Sequence, residues 1–112
     1  MKAIYMMEQD NMTLPDGQID PDSEVGKLIG FTSDKFEGWL WKSGDRVMIS
    51  MIISLQPNKG NLSALFKAIE AQGLRVAVPT PFVHLEAIIK SKGFKPHIED
   101  DAELGPCEVW ER

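Results

Sequence analysis

A chain of 112 residues with a formal net charge of −5 is long enough for one domain with its own hydrophobic core and too short for two. The single cysteine, Cys107, excludes an internal disulfide, and no Cys/His cluster has the spacing of metal ligands, so we expect a cytoplasmic setting and no bound metal. No segment has the length and apolar character of a signal peptide or a membrane span, so no membrane partner is expected. We predict a single domain over 1–112, with a reduced N-terminal segment over 1–24 and a core over 25–112.

Charge is distributed unevenly along the chain. Residues 1–24 contain six acids and one lysine, and residues 99–112 contain six acids and one arginine, whereas residues 25–98 contain five acids and ten Lys or Arg. A solvated surface explains such asymmetry, and a basic centre also suits a phosphate-rich ligand. The basic residues are dispersed singly, without a Lys/Arg stripe interleaved with aromatics, so nucleic acid is not expected as a partner.

The first half of the chain shows mainly strand patterns. Residues 1–7 can form a short opening strand, and residues 8–24 are rich in Asp, Asn, Pro and Gly, which predicts a loop with one helical turn. Three strands are then predicted, over 25–32, 36–42 and 46–55. The turn Ser43-Gly44-Asp45 makes the last two a hairpin. Because nearly every residue of 46–55 is apolar, that strand is expected at the centre of a covered sheet.

From Asn61 the apolar period becomes helical and ends at Gly73. The apolar stripe of this helix consists of Leu62, Leu65, Phe66 and Ile69. A short strand is predicted over 74–78, and Thr80 and Pro81 then have the residue types of an N-cap and a first helical position.

The second predicted helix ends at Gly93. Its apolar stripe consists of Phe82, Leu85, Ile88 and Ile89. Two further strands are predicted, over 94–99 and 107–112. An antiparallel hairpin followed by a βαβ crossover predicts an α/β (α+β) fold with a mixed, mostly antiparallel sheet, in which strands 46–55 and 74–78 are parallel neighbours. A ligand crevice is predicted at the point where the antiparallel hairpin meets the parallel crossover.

Residues 46–95 resemble the GNAT superfamily of N-acyltransferases. The resemblance is carried by RVMISMIISL, QPNKGNLSALFKAIEAQG, LRVAV and PFVHLEAIIKSKGF. In that family a central strand feeds a loop of the form Arg/Gln-x-x-Gly-x-Gly/Ala, and the N-terminus of the next helix points at the CoA pyrophosphate, where N–H groups and the helix dipole hold the anion. Gly60 takes the place of the first glycine, and Gly93-Phe94 matches a later Gly-Phe pair.

The resemblance implies acetyl-CoA as the cofactor. The residues that it places around the cofactor are Ser54, Leu55, Gln56, Asn58, Lys59, Gly60, Asn61, Leu62 and Ser63. The sequence departs from the family at Pro57, which replaces Arg or Gln, at Leu62, which replaces the second Gly/Ala, and at Ile89, where many members have the tyrosine that protonates the CoA thiolate. The segment 8–24 is too short and polar for the family's two N-terminal helices.

Amine acetylation needs a base, a donor to the carbonyl oxygen and a proton for the thiolate. The candidate catalytic residues are Glu37 as a base, Ser50 as a contact to the thioester, and His97 near the expected acceptor end. Each also has an ordinary interpretation, as an exposed carboxylate, a small packing residue and a structural histidine. His84 is expected at the surface.

Two further patterns concern surfaces. Strict alternation along 46–55 would place one set of residues on one face and the other set on the opposite face: Arg46, Met48, Ser50, Ile52 and Ser54 against Val47, Ile49, Met51, Ile53 and Leu55. Trp39 and Trp41 share one face of the hairpin and are core residues, part of a half-covered sheet face or, if exposed, an interface. Trp110 is expected to pack similarly.

The sequence therefore predicts an acetyl-CoA-dependent N-acyltransferase-like protein with an unidentified amine acceptor. The alternative is a non-catalytic GNAT-fold binding or structural module, for example a phage accessory protein, whose partner is a protein or a second copy of the chain. Gly60, Lys59 and the basic middle favour CoA binding, whereas Pro57, Leu62 and Ile89 favour the alternative. Whether the chain is an enzyme stays open between the two.

Overall fold

The computed structural model describes residues 14–56, 59–81 and 83–112. Within these ranges the protein is an α+β fold with one six-stranded mixed sheet and three helices. The strands are β1 (Gly17–Ile19), β2 (Phe36–Ser43), β3 (Arg46–Ser54), β4 (Arg75–Pro79), β5 (Lys95–Asp101) and β6 (Gly105–Glu111). The helices are α1 (Glu24–Ile29), α2 (Asn61–Ala71) and α3 (Val83–Ser91). No helix in the described part is long and apolar enough to span a membrane.

The strand order across the sheet is β1-β2-β3-β4-β6-β5. Strands β3 and β4 are parallel, and every other neighbouring pair is antiparallel. The predicted hairpin and the predicted parallel pair joined by a helix are therefore confirmed, and so is the central position of β3. Strand β5 is parallel to β4 with β6 between them, because both are antiparallel to β6. Helix α3 connects β4 to β5 across β6.

The helices lie on one face of the sheet. A right-handed crossover places its helix on a fixed side, and the crossovers through α2 and α3 run in the same direction across the sheet. One core cluster joins side chains of α1, α2 and α3 to strands β1, β2, β3, β4 and β6. In the described part of the chain, no helix covers the opposite face of the sheet.

Residues 25–32, predicted as a strand, instead contain helix α1. Its N-cap is Ser23, whose side chain accepts a hydrogen bond from the Gly26 N–H at 3.0 Å, and Gly30 ends it at φ 81°. Ile29 is buried at helical spacing from Val25, so the same apolar residues satisfy either period. The Ser23 N-cap and the left-handed Gly30 favour the helix over the strand. Strand β1 lies in the predicted loop 8–24, and the predicted strand 1–7 lies outside the described residues.

The prediction of strict alternation along β3 is wrong beyond Ile49. The pairs Trp41↔Met48 and Trp39↔Met51 leave two residues of β3, Ile49 and Ser50, opposite one residue of β2, which is a β-bulge. A bulge reverses which residues of a strand face the core.

Beyond the bulge, Ile52 and Ser54 therefore lie on the helix-covered face, across from Gly38 and the buried Phe36. Met51 and Ile53 lie on the opposite face. Strand β3 is central but only partly covered, because Met51 and Ile53 remain exposed.

Candidate functional site

A cleft opens where β3 and β4 separate. The two strands pair only over Arg46–Met48 and Arg75–Ala77. Beyond these residues a space of about 730 Å³ lies between them. It is lined by residues 49–54 and 56, by 60–63 at the start of α2, by 78–81 after β4, and by Leu85, Ile88 and Lys92. The predicted crevice at the parallel strand pair is thus present as a cavity of ligand size.

The backbone of β3 forms one wall of this cleft. From Ile49 to Ser54 the strand is paired with β2 on one side, and within the described residues no strand pairs with its other edge. Alternate N–H and C=O groups along that edge suit an extended, amide-bearing ligand, which can bind as an added strand. The side walls are mostly apolar, with Val78, Leu85 and Ile88 among them.

The N-terminus of α2 lies at one end of the cleft. Its N-cap is Gly60, at φ 77°, which supplies no side-chain cap, and the first turn contains no acid. The first N–H groups of a helix have no partner within the helix, and this end carries the positive pole of the dipole. The side-chain nitrogen of Asn61, another lining residue, is buried without a hydrogen-bond partner among the described residues. This end of the cleft therefore suits an anion.

Thr80 is a cleft residue that the sequence pattern placed elsewhere. Helix α3 begins at Val83, so Thr80 and Pro81 are not its cap and first residue as predicted. Thr80 has φ 39°, which is strained for a β-branched side chain, and its N–H donates to the Glu108 carbonyl at 2.8 Å. The Thr80 hydroxyl was not assigned to the cleft from the sequence, because a threonine followed by a proline is the pattern of a helix N-cap.

Of the nine predicted cofactor residues, six line the cleft: Ser54, Gln56, Gly60, Asn61, Leu62 and Ser63. Leu55 and Lys59 are exposed and do not belong to its lining, and Asn58 lies outside the described residues. Leu62 also packs against the core cluster, so part of its side chain is directed away from the cleft. Leu62 therefore contributes to both the cleft lining and the hydrophobic core.

The three predicted catalytic residues are not brought together. Ser50 lines the cleft. Glu37 is exposed across from Ile53 and is not a lining residue, and His97 lies on β5 with its Nε2 at 2.7 Å from a Glu99 carboxylate oxygen. Ile89 is completely buried, so the position of the family tyrosine faces the core. The side chain of His84 lies outside the described residues.

A charged cluster occupies the opposite end of the β3–β4 pair. Arg46 donates to Glu99 and Glu111, each at 2.7 Å, and Arg75 donates to Glu111 at 2.7 Å and to Asp45 at 3.0 Å. The hydrogen bonds from Arg46 and His97 lower the pKa of Glu99 to about 2. His97, Glu99 and Glu111 each offer one potential metal-ligand atom, and these atoms lie within 4.8 Å of one another. The Arg46 guanidinium already supplies the positive charge between the two carboxylates.

The sheet face opposite the helices carries exposed apolar side chains. Trp39 and Trp41 are 40% and 46% exposed, and Met51 and Ile53 are 36% and 51% exposed. Trp39 lies directly across from Met51, so these side chains form a continuous patch. By contrast, Trp110 is buried in the core and does not pack like the other two tryptophans.

The fold and the cleft define a small α+β domain with a ligand-sized opening between two parallel strands. Comparisons of the chain with protein-family models, with curated proteins and with solved structures find no match. Function is therefore inferred from the cleft and from the residues around it.

Proposed function

We propose that the cleft binds a CoA thioester, acetyl-CoA, and that the chain is a GNAT-type N-acyltransferase-like protein. The observation that carries the proposal is that the opening between β3 and β4 ends at the N-terminus of α2. The order strand, Gly60, helix is the arrangement that the GNAT resemblance implies for the CoA pyrophosphate. A similar order of elements is not enough by itself, because the ligand must also fit the walls.

The walls of the cleft suit the successive parts of a CoA thioester. A pyrophosphate placed at α2 would meet unsatisfied N–H groups and the positive helix end. A pantetheine arm, which is extended and carries two amides, would run along the open edge of β3 between apolar side chains. The thioester would then lie near the bulge at Ile49 and Ser50, where a backbone N–H can donate to its carbonyl oxygen.

Acyl transfer from such a complex is expected to be slow. The amine nitrogen would attack the thioester carbonyl carbon, the C–S bond would break, and the CoA thiolate would leave. Among the described lining residues there is no carboxylate, histidine, cysteine or tyrosine, and the hydroxyls of Ser50, Ser54, Ser63 and Thr80 are poor acids at neutral pH. The Lys92 ammonium also lines the cleft, but it donates to Ser63 at the α2 end, away from the bulge where the thioester would lie. The acceptor amine would have to arrive already deprotonated, and the proton that its nitrogen loses on acylation would pass through water to the thiolate.

Titration calorimetry with acetyl-CoA tests the binding step. We expect Gly60→Val to abolish binding, because a Cβ at Gly60 meets no protein atom within 4 Å and the side chain would occupy the space where the ligand phosphate approaches the backbone. Lys59 precedes the helix terminus but lies outside the lining, so Lys59→Ala should weaken binding by no more than about 1 kcal/mol, the value for one charge-assisted contact.

Gly73→Val is the matched control for backbone strain. Gly73 lies at the other end of α2 with φ 80°, close to the 77° of Gly60, and its Cβ would also meet nothing within 4 Å. Both variants should lose similar stability in thermal unfolding, but only Gly60→Val should lose acetyl-CoA. Absence of binding to the wild-type protein at millimolar acetyl-CoA would defeat the enzyme hypothesis.

The exposed apolar patch favours a second candidate function. A non-catalytic module that binds a protein partner or a second copy of the chain would present such a surface, and Trp is enriched at interfaces. This candidate needs no ligand in the cleft. It is the hypothesis that stands if acetyl-CoA does not bind.

A further inference from the structure

Lys92 connects the end of α3 to the start of α2. Its ammonium donates a hydrogen bond to the Ser63 hydroxyl, in the first turn of α2, and both residues line the cleft. The Lys92 side chain is half-buried, whereas Lys90, in the last turn of α3, is exposed. The sequence pattern gave Lys92 no role, because it follows the last helical residue and precedes Gly93.

The charge of Lys92 is opposite to what the α2 terminus favours. The positive pole of a helix is stabilised by acids and destabilised by cations. Helices α1 and α3 each have an acid in their first turn, Glu24 and Glu86, but α2 has none. Within the described residues Lys92 makes no ion pair. An ammonium and a helix N-terminus therefore converge on the cleft without an internal anion between them.

The position of Lys92 is also fixed by its backbone. Its carbonyl accepts a hydrogen bond from Arg112 at 3.0 Å, and Arg112 is held by Glu70 at 3.0 Å and lies 5.0 Å from the centre of the Phe94 ring. Gly93 then turns the chain at φ 90°. Because both its backbone carbonyl and its ammonium are hydrogen-bonded, Lys92 would lose less side-chain freedom on binding an anion than an exposed lysine does.

We infer that Lys92 is a phosphate-binding residue of the cleft and that it makes the cleft selective for a pantetheine thioester whose arm ends in a phosphate. The inference rests on the proposed function. The phosphate would accept hydrogen bonds from the Lys92 ammonium and from the first N–H groups of α2, and it would neutralise both positive charges. CoA and free phosphopantetheine share this chemistry, so the two sources must be separated by experiment.

Calorimetry with three ligands provides the test: acetyl-CoA, acetyl-phosphopantetheine and acetyl-pantetheine, which has no phosphate. Lys92→Met keeps most of the aliphatic stem and removes the charge. We expect it to weaken binding of both phosphorylated ligands by about ten- to a hundredfold, the range for a hydrogen bond to a charged group, and to leave acetyl-pantetheine unchanged. Lys90→Met is the control and should bind all three ligands as the wild type does. Equal loss of both phosphorylated ligands points to the shared phosphate, and a larger loss for acetyl-CoA points to the nucleotide phosphates.

Each other outcome overturns the inference in a distinguishable way. Equal weakening of all three ligands would show that Lys92 only supports the shape of the cleft, and thermal unfolding of Lys92→Met checks whether the fold is retained. Unchanged binding of acetyl-CoA by Lys92→Met would show that the ammonium does not contact phosphate, while the proposed function would survive. Failure of the wild-type protein to bind any of the three ligands would remove the proposed function and the inference together.

Discussion

At one end of the β3–β4 pair, three residue pairs are joined by backbone hydrogen bonds and flanked by the Arg46, Arg75, Glu99 and Glu111 cluster. At the other end the same two strands have separated, and the walls of the cleft are apolar side chains, hydroxyls and an open strand edge. The closed end gains stability from pairing and charge complementarity. The open end gives up those contacts and keeps backbone groups available for a ligand.

Three of the unusual backbone positions lie toward the open end. Thr80 is strained at φ 39°, Gly60 is left-handed, and Gly38 lies across from Ile52 beside the bulge. Strain of this kind persists only where surrounding structure holds it in place, and binding sites are frequent locations for it. We therefore expect the closed end to be a rigid support and the open end to be sensitive to small changes of the backbone.

The largest expected effect is at Gly38. A Cβ there would lie 2.0 Å from the Met51 carbonyl oxygen, and the residue has φ 113°, so Gly38→Ala must move β2 away from β3. We expect a loss of about 3 kcal/mol in the free energy of unfolding, measured by urea denaturation. Gly44→Ala in the hairpin turn of the same strands is the control, because its Cβ would meet nothing within 4 Å, and it should lose about 1 kcal/mol. Similar losses for both variants would contradict a close approach at Gly38.

A smaller effect is expected at the closed end. Arg46→Met leaves Glu99 and Glu111 facing each other without their shared guanidinium, which should cost about 1–2 kcal/mol at pH 7, between the values for exposed and buried ion pairs.

The pH dependence identifies the contribution of Glu99. Because the folded-state pKa of Glu99 is lowered from 4.5 to about 2, its ion pair contributes full stability above pH 4.5 and loses that contribution as the pH falls toward 2. The midpoint of thermal unfolding should therefore fall over this window in the wild type and fall less in Arg46→Met. Parallel curves for the two proteins would show that Arg46 does not hold Glu99 ionised.

The smallest expected effect has the opposite sign. Thr80→Gly removes the left-handed strain at the mouth of the cleft, since glycine adopts φ 39° without a steric penalty. The greater entropy of glycine in the unfolded state opposes this gain, so we expect a net stabilisation of about 0.5 kcal/mol in urea denaturation. Thr80→Ser keeps the hydroxyl and most of the strain and should match the wild type. A clear destabilisation of Thr80→Gly would show that packing of the threonine methyl outweighs the strain.

Much of the cleft was predictable because its parts are local in sequence. Six of the nine residues expected around the cofactor line it, since Ser54 to Ser63 connect β3 to α2 and a strand–loop–helix unit keeps them together. Glu37 and His97 were not predictable in the same way. Each was assigned by residue type, and which face of the sheet a side chain occupies depends on strand register, which short segments do not specify.

The sequence by itself determined the elements whose signals are short-range: the hairpin around Gly44, helix α2 with its apolar stripe, and the glycine stops at Gly73 and Gly93. It predicted a strand where α1 lies, because Val25 and Ile29 fit both the strand and the helix period. Only the tertiary structure decided the bulge at Ile49 and Ser50, the separation of β3 from β4, and the contact between Lys92 and Ser63. The physical reason is distance along the chain: Lys92 and Ser63 are 29 residues apart, and nothing in the local pattern of either residue records the position of the other.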